Sequence, residues 1–535
     1  MRIVVDLTRC QGYGQCAFLA PDVFTLNGQE ALMYDTDPSD EQREKVLQAA
    51  AACPVQALHV DRMTTQYKAV MAGPPVHGDE DFLRNGRIVI VGASLAGGRA
   101  AGVLRRDGFT GSLTLIGDEP HEPYDRPPLS KQVLTGRIPA ENTRLPRLRE
   151  IDLEWLPGTP ATGLDLIAKN VRLADGREIG FDKVLIATGA RARPWPNEAE
   201  AALDGVFVLR TLEEAQQLRE RLAAGVNRVL VIGGGFTGSE VASVCRELDL
   251  AVTVVDHGPA PLAGALGGVI GAVAADMQRA HGVDLRCGVT VTGLEGDDEG
   301  RLRRAQLSDG STVDAEVAVV ALGAVRNVEW LQGSGLAASQ WGVTTDAGCR
   351  AIDINGLVTD DVFVAGDIAR FPHPVYHYQF LALEHWGNAV AQAEVAAHNM
   401  LSDQTHRWPH LSLPIFWSHQ FGTNIKSVGV PTFSDQVVIT QGSVADRRFV
   451  AVYGYKGRIT AAVTFDHGIW LEFYQRLIEQ AAPFPPDFPS VDRSNGLLPV
   501  SADVPTRVVP AMGATVIVTG HDPAERHVSL VHGLH

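Results

Sequence analysis

Two runs of consecutive apolar residues predict two buried strands in the middle of this chain. The first run is Ile88–Val91 and the second is Val229–Ile232, and each is followed at once by a glycine and then by a helical pattern. A short apolar run between turn signals is typical of a parallel strand that is covered on both faces. The chain is therefore predicted to contain two strand–turn–helix units rather than a short-period repeat array.

The flanking regions have different patterns. Residues Met1–Asp6 alternate between apolar and polar positions like a strand, and Asp37–Glu41 is a helix start that leads into Gln42–Ala52. The stretch from Thr64 to Gly86 has the composition of a linker. Beyond His406, turn residues alternate with short strand-like runs. We therefore expect a small N-terminal unit, a linker, a central α/β region and a C-terminal domain.

Length and charge narrow the class of protein. A chain of 535 residues corresponds to about three or four domains. Its net charge of −17 disfavours nucleic-acid binding, since phosphates require a basic surface. The chain has no run of about 18 apolar residues and no apolar core of a signal peptide at its start. We expect a cytoplasmic protein that binds neither nucleic acid nor a membrane.

The second unit carries a complete dinucleotide-binding pattern. Its three glycine positions are occupied by Gly233, Gly235 and Gly238, between the strand and the following helical run. These glycines permit a tight turn and a close backbone approach, and the helix N-terminus attracts a pyrophosphate. The next strand ends at Asp256, whose carboxylate is placed to accept from both ribose hydroxyls. Because a 2′-phosphate would meet like charge there and no arginine follows in His257–Leu262, NADH is favoured over NADPH.

The first unit departs from this pattern at one position. Gly92 and Gly97 are its outer glycines, but Ser94 stands where the middle glycine is expected. Serine is small enough to let a phosphate approach, so the loop still suits a dinucleotide. The next strand is followed by Asp118 and Glu119, which place a carboxylate for a second ribose.

The segment Pro123–Lys131 is the most distinctive motif of the central region. It reads PYDRPPLSK and resembles the flavin-site signature of the oxygenase-coupled NADH–ferredoxin reductases of the putidaredoxin-reductase and biphenyl-dioxygenase-reductase type, whose relatives include the apoptosis-inducing factors. Three further stretches agree with that family in order and spacing: Ile186–Ala190, Val364–Asp367 and Pro414–Ser418. The resemblance implies that the first unit binds FAD and the second binds NAD.

The resemblance also implies roles for individual side chains. Arg126 would bind the FAD phosphates, and Asp367 would accept from the ribitol chain at a helix N-terminus. Lys131 would lie near the flavin N5 edge, paired with Glu240, where the pair would help to align the nicotinamide. Trp386 would stack near the flavin ring. The alternatives are a surface lysine, a helix-start acid and a core tryptophan.

Lys131, Glu240 and Trp386 are the catalytic candidates. The residues expected to bind FAD are Gly92, Ser94, Ala96, Gly97, Asp118, Glu119, Arg126, Lys131, Ala161, Thr188, Gly189, Asp367, Glu384, His385 and Trp386. The residues expected to bind NAD are Gly233, Gly235, Phe236, Thr237, Gly238, Glu240, Asp256 and Gly323.

The cysteines predict how electrons leave. No reactive cysteine pair lies near the flavin segments, which disfavours a disulfide reductase. Instead Cys10, Cys16 and Cys53 resemble the cluster ligands of the single-cluster bacterial ferredoxins that serve cytochrome P-450 monooxygenases, with Tyr13 at the middle position. Three thiolates suit a 3Fe-4S cluster, which we favour. A 4Fe-4S cluster would need a fourth ligand from Tyr13, a nearby carboxylate or solvent.

The expected fold class is multidomain. It comprises an α+β bacterial-type ferredoxin domain (residues 1–66), a linker (67–85), two α/β Rossmann-like dinucleotide-binding domains of the glutathione-reductase-like type, and an α+β C-terminal domain with a tail (406–535). The FAD-binding domain would consist of residues 86–205 and 330–405, with the NAD-binding domain (206–329) inserted in it.

The predicted activity is that of a ferredoxin reductase fused to its own ferredoxin. Electrons would pass from NADH to FAD, to the iron–sulfur cluster and to an external acceptor, for which the ferredoxin resemblance implies a cytochrome P-450. Two alternatives stay open. One is an electron donor to a Rieske-type ring-hydroxylating dioxygenase, and the other is a redox-responsive signalling flavoprotein like the apoptosis-inducing factors.

Overall fold

The structure is a computed structural model of the chain. It describes residues 3–5, 10, 12–27, 31–35, 38–53, 57–60, 76, 78–145, 151–487, 498–504, 514–519 and 527–532. Most of the predicted linker and part of the tail lie outside the described residues. Within the described residues, no helix combines the length and the apolar character that a bilayer crossing requires.

The N-terminal unit is built from short elements around its own core. Its strands are Ile3–Val5, Phe24–Asn27, Ala31–Tyr34 and Leu58–Val60, and its helices are Gln15–Leu19, Asp40–Gln42 (3-10) and Arg43–Ala52. The first strand pairs antiparallel with the last, so the two ends of the unit meet, and the two middle strands form a hairpin. Phe24 and Val46 are buried in the core between these elements.

The first predicted strand–turn–helix unit forms the centre of a six-stranded sheet. In spatial order its strands are Arg350–Ile352, Val358–Val364, Lys183–Ile186, Arg87–Val91, Ser112–Ile116 and Glu154–Leu156, all parallel except the first. The helices Leu95–Arg106 and Trp386–Leu401 cover one face, and they meet through small side chains such as Ala100 and Ala393. The smaller sheets nearby comprise Ala161–Asp165, Asn170–Leu173 and Glu178–Gly180 in one, and Ala338–Ser339, Gly342–Thr344, Ala369–His373 and Gln379–Leu381 in the other.

The second unit forms a five-stranded parallel sheet that draws its strands from one continuous stretch of chain. In spatial order these are Val206–Phe207, Val317–Val320, Arg228–Ile232, Ala251–Asp256 and Asp284–Cys287. Its helices are Leu212–Ala223, Phe236–Glu247, Ala263–Leu266 and Gly268–Ala280. A three-stranded sheet of Val291–Gly296, Leu302–Leu307 and Thr312–Asp314 is appended. The pair Ala190–Ala192 and Ala324–Arg326 links this stretch to the first unit at both ends.

The C-terminal region is a six-stranded antiparallel sheet with one helix. In spatial order its strands are Ile415–Gln420, Thr423–Gly429, Arg458–Phe465, Arg448–Tyr455, Gln436–Ser443 and Val500–Ser501, and the helix is Leu471–Glu479. Val500 and Ser501, which belong to the predicted tail, are thus the edge strand of this sheet. A separate hairpin consists of Ala514–Thr519 and His527–His532.

The remaining helical segments are short. The α-helices are Glu80–Asn85 and Glu198–Ala201, and the 3-10 helices are Pro127–Ser130, Ala140–Thr143, Glu329–Leu331, Pro374–Tyr376, Gln404–His406 and Gly468–Trp470. Glu80–Asn85 falls in the segment predicted to be linker, and this part of the prediction is wrong. Asp79 caps the helix through its side chain, and Phe82 packs on Phe109 with ring centroids 5.7 Å apart. A capped helix with an apolar anchor forms here because Phe82 has a buried partner.

Candidate active site

One cleft gathers most of the residues that the sequence nominated. The FAD candidates that line it are Gly92, Ser94, Ala96, Asp118, Glu119, Arg126, Lys131, Thr188, Gly189, Asp367, Glu384, His385 and Trp386. The NAD candidates Phe236, Thr237 and Glu240 line the same cleft. Residues nearly 300 positions apart in the sequence therefore line the same cleft. The cleft lies at the ends of both glycine-rich loops.

The two glycine-rich loops have the same backbone geometry. A Cβ on Gly97 would lie 1.9 Å from the carbonyl oxygen of Gly92, and a Cβ on Gly238 would lie 1.9 Å from that of Gly233. Gly92 and Gly233 have φ angles of 117° and 108°. Because no side chain fits at these positions, each helix can begin directly against its strand. This close approach is what a bound pyrophosphate requires of a dinucleotide loop.

The middle position of each loop is the N-cap of the following helix. Ser94 caps Leu95–Arg106 and Gly235 caps Phe236–Glu247, and neither makes a side-chain hydrogen bond to its helix. Serine thus occupies the same structural position as glycine here. The first-turn N–H groups of both helices point toward the loop, so both loops fit a dinucleotide phosphate.

Asp256 lies at the end of its strand beside the second loop. Its Oδ2 accepts a hydrogen bond from the backbone N–H of Gly234, and its Oδ1 accepts one from Gly258 at 2.6 Å. Two backbone donors hold the carboxylate in place next to the dinucleotide loop. Its predicted contact with the ribose stays a prediction.

Besides Asp256 and glycines of the two loops, two further candidates are not among the described residues that line the cleft. Ala161 opens the strand Ala161–Asp165, and Gly323 lies in the loop after Val317–Val320 with a φ angle of 85°. Among the residues that the structure describes as lining the cleft, neither is present. Their roles stay predictions.

Arg126 and Glu119 form an ion pair at the wall of the cleft. The guanidinium of Arg126 lies 2.5 Å from Glu119 and donates to the hydroxyl of Tyr124 at 2.9 Å and to the carbonyl of Arg210 at 2.8 Å. Burial raises the pKa of Tyr124, so its hydroxyl stays protonated and donates to Glu119. Backbone and side chains therefore hold Arg126 in a fixed position, which suits a phosphate-binding guanidinium.

Asp367 differs from its expected setting. It lies in a turn between the strands Val358–Val364 and Ala369–His373, so the expectation that it sits at a helix N-terminus is wrong. The chain turns back into the neighbouring sheet here because Ile368 and Ala369 are wholly buried there. The carboxylate of Asp367 pairs with Arg210, and its carbonyl accepts from Arg326.

Arg210 and Arg326 are site residues that sequence reasoning missed. Arg210 pairs with Asp367, and Arg326 lies 3.0 Å from the carboxylate of Glu384. Arg210 directly precedes an ordinary capped helix start at Thr211, so nothing in its local sequence marks it as a site residue. These ion pairs connect the second unit to two acidic FAD candidates, Asp367 and Glu384.

Lys131 and Glu240 lie together in the lining of the cleft. The ammonium of Lys131 is 2.7 Å from one carboxylate oxygen of Glu240, and the hydroxyl of Ser130 donates to the same oxygen at 2.5 Å. The other carboxylate oxygen accepts from Ser418 of the C-terminal sheet at 2.6 Å. Glu240 is only 7 % exposed. The carboxylate therefore holds three parts of the chain together at one point.

Two half-buried histidines lie in this region: His419 near Lys131 and Glu240, and His385 in the lining of the cleft. Burial, together with the nearby positive charge of Lys131, lowers the pKa of His419 to about 4. Burial also lowers the pKa of His385 to about 4, although the charge of Asp367 acts in the opposite direction. Both imidazoles are consequently neutral at pH 7. Neither ring therefore adds a second positive charge beside the Lys131–Glu240 pair.

Trp386 begins the helix Trp386–Leu401 at the edge of the cleft. Its indole N–H donates to Asp125 at 2.9 Å, and its ring meets that of Trp417 edge to face, with centroids 6.2 Å apart. Both tryptophans and Asp125 line the cleft. Trp386 is thus a cleft residue held by a specific hydrogen bond, and its contact with a flavin stays a prediction.

The three N-terminal cysteines surround a second, smaller pocket. Cys10, Cys16 and Cys53 line it together, and the backbone between the first two turns through Gly12 and Gly14 at φ angles of 70° and 75°. The backbone N–H of Ala57 donates to the sulfur of Cys53 at 3.4 Å. Thiolates around a space, with N–H groups directed at sulfur, fit an iron–sulfur cluster.

The thiol of Cys16 has a raised pKa. Burial and the proximity of Cys10 raise this pKa to about 11, and binding to iron would favour the thiolate form. Among the described residues, no three His, Cys, Asp or Glu side chains are grouped so as to hold a single metal ion.

The other cysteines are removed from the cleft. Cys245 and Cys349 are buried, and burial raises the pKa of Cys245 to about 12. No cysteine is found among the described residues that line the cleft. Because their thiols are neither accessible nor ionised, Cys245 and Cys349 cannot act as nucleophiles for disulfide exchange at the cleft.

Three family descriptions match the chain, in the order in which the sequence predicts the domains. Residues 5–60 match the 4Fe-4S single cluster domain of ferredoxin I, residues 86–393 match the pyridine nucleotide-disulphide oxidoreductases, and residues 415–494 match the reductase C-terminal domain. The predicted multidomain organisation is confirmed at this level. The matched cluster domain is named for four irons, whereas residues 5–60 of this chain contain three cysteines.

Whole proteins and a solved structure are similar to most of the chain. The probable ferredoxin reductase CtmF of Castellaniella defragrans is 34% identical over 394 residues, which is 71% of this chain and 91% of that protein. The ferredoxin–NAD(+) reductase component of the p-cumate 2,3-dioxygenase system of Pseudomonas putida is 35% identical over 350 residues, 64% of this chain and 81% of that protein. The covalent putidaredoxin reductase–putidaredoxin complex matches with a TM-score of 0.70 and 30% identity, over 75% of this chain and 94% of that one.

Proposed function

The chain belongs to the pyridine nucleotide-disulphide oxidoreductase family as a ferredoxin reductase, and from this premise we propose that it transfers electrons from NADH through FAD to a cluster in its own N-terminal domain. An external oxygenase would be the final acceptor. One NADH supplies two electrons and releases one proton, and two single-electron transfers through the cluster consume them. Bound FAD would supply the change from two-electron to one-electron transfer.

The observation that carries this proposal is the direct contact between the two cofactor regions. The ammonium of Lys426, in the C-terminal sheet, donates to the backbone carbonyl of Cys10. Lys426 pairs in register with Trp417, which lines the cleft. The cysteine loop is therefore joined to the wall of the cleft by one strand pair. Electron transfer within the chain requires this proximity and no diffusional encounter.

The side chains of the cleft have separate tasks in this proposal. Arg126, held by Glu119 and Tyr124, binds the phosphates of FAD. Lys131 faces the reacting end of the flavin, and Glu240 fixes its position so that the nicotinamide is held in a productive geometry. Asp256 accepts from the ribose of NADH and repels the additional phosphate of NADPH.

The cluster ligands are Cys10, Cys16 and Cys53 in this proposal, and the cluster has the 3Fe-4S form. Three thiolates are the donors that surround the pocket. Tyr13, at the position of a fourth cysteine, also lines the pocket but is 60 % exposed. A phenol turned toward solvent is a poor substitute for the missing thiolate, so three irons suit this pocket better than four.

The acceptor we propose is a soluble cytochrome P-450. The support is the resemblance of the cysteine pattern to ferredoxins that serve this class, together with the exposed side of the cluster loop. Next to Cys16, Phe18 is 85 % exposed and Tyr13 is 60 % exposed, while the Cys10 side is covered by the reductase. A Rieske-type dioxygenase is the second candidate, because one relative is a reductase component of a dioxygenase system.

Anaerobic mixing with NADH tests the electron route. We expect the flavin colour to bleach and a cluster EPR signal to disappear, since an oxidised 3Fe-4S cluster is paramagnetic and a 4Fe-4S cluster would give a signal only after reduction. Cys53→Ser should abolish NADH-dependent reduction of cytochrome c and keep reduction of ferricyanide, which the flavin serves directly. Cys287→Ser, remote from the pocket, is the matched control. Full cytochrome c reduction by Cys53→Ser would rule out the cluster as the exit.

The acceptor is tested separately. Haem reduction under carbon monoxide, with NADH and a soluble P-450, should be faster than reduction of a Rieske centre by the same preparation. The opposite order would favour the dioxygenase. Slow reduction of both acceptors and of cytochrome c would favour the signalling alternative.

A further inference from the structure

The N-terminal domain contacts the rest of the chain at a specific lysine. Lys426 lies in the strand Thr423–Gly429, which is paired on both sides within the C-terminal sheet. Its side chain is only 3 % exposed, and its ammonium donates to the carbonyl of Cys10. A buried ammonium is costly unless it is hydrogen-bonded. Lys426 therefore favours the arrangement in which the cysteine loop lies against this sheet.

An electrostatic interaction also links the same domain to the region of the cleft. Tyr34, in the N-terminal unit, is buried, and after burial itself the charge of Asp125 is the main factor that raises its pKa. Asp125 accepts from Trp386, and Trp386 meets Trp417. The hydrogen bond from Lys426 to Cys10 lies on the strand pair that carries Trp417. The cysteine loop is seated on the wall of the cleft rather than at a remote part of the reductase.

The strand Ile415–Gln420 connects two regions of function. Successive side chains of a strand point to opposite faces. Ser418 donates to Glu240, whereas its neighbour Trp417, which lines the cleft, lies opposite Lys426 in the register and so shares the face of that residue. One strand therefore contacts the Lys131–Glu240 pair with one residue and the seat of the cysteine loop with the next.

From this geometry we propose that Lys426 is the positioning residue that seats the Cys10 loop on the reductase, and that its ammonium stabilises the reduced, more negative state of the cluster. The proposal rests on the proposed function, because it assigns a role at the junction between the two cofactors. The charge lies within one hydrogen bond of the backbone of a cluster ligand, and a cation at this distance favours the added electron. The partner of this surface is the N-terminal domain of the same chain.

Three variants of the full-length holoprotein separate the two parts of the proposal. Lys426→Met removes both the hydrogen bond and the charge, and Lys426→Gln removes the charge but keeps an N–H donor. Lys456→Met, at an exposed turn of the same sheet, is the matched control. The measurements are flavin content, the rate of flavin bleaching by NADH, the rate of cluster reduction by freeze-quench EPR, the cluster midpoint potential, and hydrogen exchange of the Cys10 loop.

For Lys426→Met we expect wild-type flavin content and bleaching rate, but cluster reduction slowed about tenfold or more, as the loss of a charge-assisted hydrogen bond implies. Hydrogen exchange of the Cys10 loop should be faster and the midpoint potential lower. Lys426→Gln should keep the protection and still show the lower potential. Lys456→Met should match the wild type in all five measurements.

Several results would overturn the proposal. Wild-type exchange and cluster reduction in Lys426→Met would show that this residue does not seat the loop. An unchanged potential in both Lys426 variants would eliminate the role of the charge. If Lys426→Met fails to retain flavin, the exchange and potential of Lys426→Gln decide, because that variant keeps a polar N–H donor at this buried position. Failure of the proposed function looks different, since the wild type would then fail to bleach or to reduce its cluster.

Discussion

The ammonium of Lys131 lies 2.7 Å from the carboxylate of Glu240, although the two residues belong to different dinucleotide units. Ser130 and Ser418 donate to the same carboxylate from two further directions. Glu240 belongs to the helix Phe236–Glu247. Its carboxylate therefore joins this helix to the flavin segment and to the C-terminal sheet. A change of this carboxylate should affect the alignment of both nucleotides at once.

We expect Glu240→Gln to slow flavin reduction by NADH by ~10- to 100-fold, because Lys131 loses its charged partner and the reacting groups lose their alignment. Stopped-flow absorbance under anaerobic conditions measures this rate. The control is Glu247→Gln on the same helix, whose side chain is 43% exposed and pairs with Arg137. A rate for Glu240→Gln equal to that of the control would contradict a role in alignment.

Asp256→Ala should raise the KM for NADH about tenfold, because the ribose hydroxyls of NADH lose an acceptor. It should also reduce the preference for NADH over NADPH, because the negative charge that repels the 2′-phosphate of NADPH is removed. The ratio of kcat/KM for the two nucleotides is the diagnostic, since a loosened Gly234 loop would lower both values together. Asp276→Ala, an 82% exposed acid on the helix Gly268–Ala280, provides the control. If the ratio stays at the wild-type value, Asp256 does not select the nucleotide.

Arg126→Ala should weaken FAD binding about tenfold or more, because it removes a guanidinium that three partners hold at the cleft wall. The dissociation constant is measured by titrating FAD into the apoprotein and following flavin fluorescence. Arg137→Ala removes an exposed arginine of the same chain segment and should bind FAD like the wild type. Unchanged affinity in Arg126→Ala would argue against phosphate binding by this residue.

Acid should destabilise the protein partly through His410. Burial, followed by the charge of His373, lowers the pKa of His410 from 6.5 to about 3. Between these two pH values the unfolded chain binds a proton that the folded chain does not, so stability falls as the pH falls through this window. The melting temperature of His410→Gln should therefore fall less between pH 7 and pH 4 than that of the wild type.

Differential scanning calorimetry measures this difference, and His406→Gln is the control. His406 is an exposed histidine near the same loop that pairs with Asp403, so its replacement shows what the loss of a surface histidine does to the melting temperature. Equal losses of melting temperature in His410→Gln and the wild type would show that His410 is protonated equally in both states.

Two central strands could be predicted from the sequence almost to the residue. The strands Arg87–Val91 and Arg228–Ile232 contain the predicted runs Ile88–Val91 and Val229–Ile232 and end at the same residues. Apolar runs ending in glycine specify such strands locally, because the hydrophobic pattern and the turn lie within a few neighbouring residues. The helical run predicted after the second loop is the helix Phe236–Glu247, which begins within the loop because Gly235 already provides the N-cap.

The contacts at the site were less accessible to sequence reasoning. The Lys131–Glu240 pair followed from the resemblance, but Arg210 beside Asp367 and Ser418 beside Glu240 did not. An arginine before a helix and a serine in a strand are common and unremarkable in sequence. Only their positions in space connect them to the acids that they contact.

The sequence by itself determined the two dinucleotide loops and the cysteine pattern, because these features depend on residue types at short, fixed spacings. A glycine where no Cβ fits and a thiol at a given step along a loop can be recognised without knowledge of the rest of the chain. Tertiary structure alone decided that the carbonyl of Cys10 meets Lys426, a residue more than 400 positions later. That contact depends on how the N-terminal domain and the C-terminal sheet lie against each other, and no local spacing rule specifies such an arrangement.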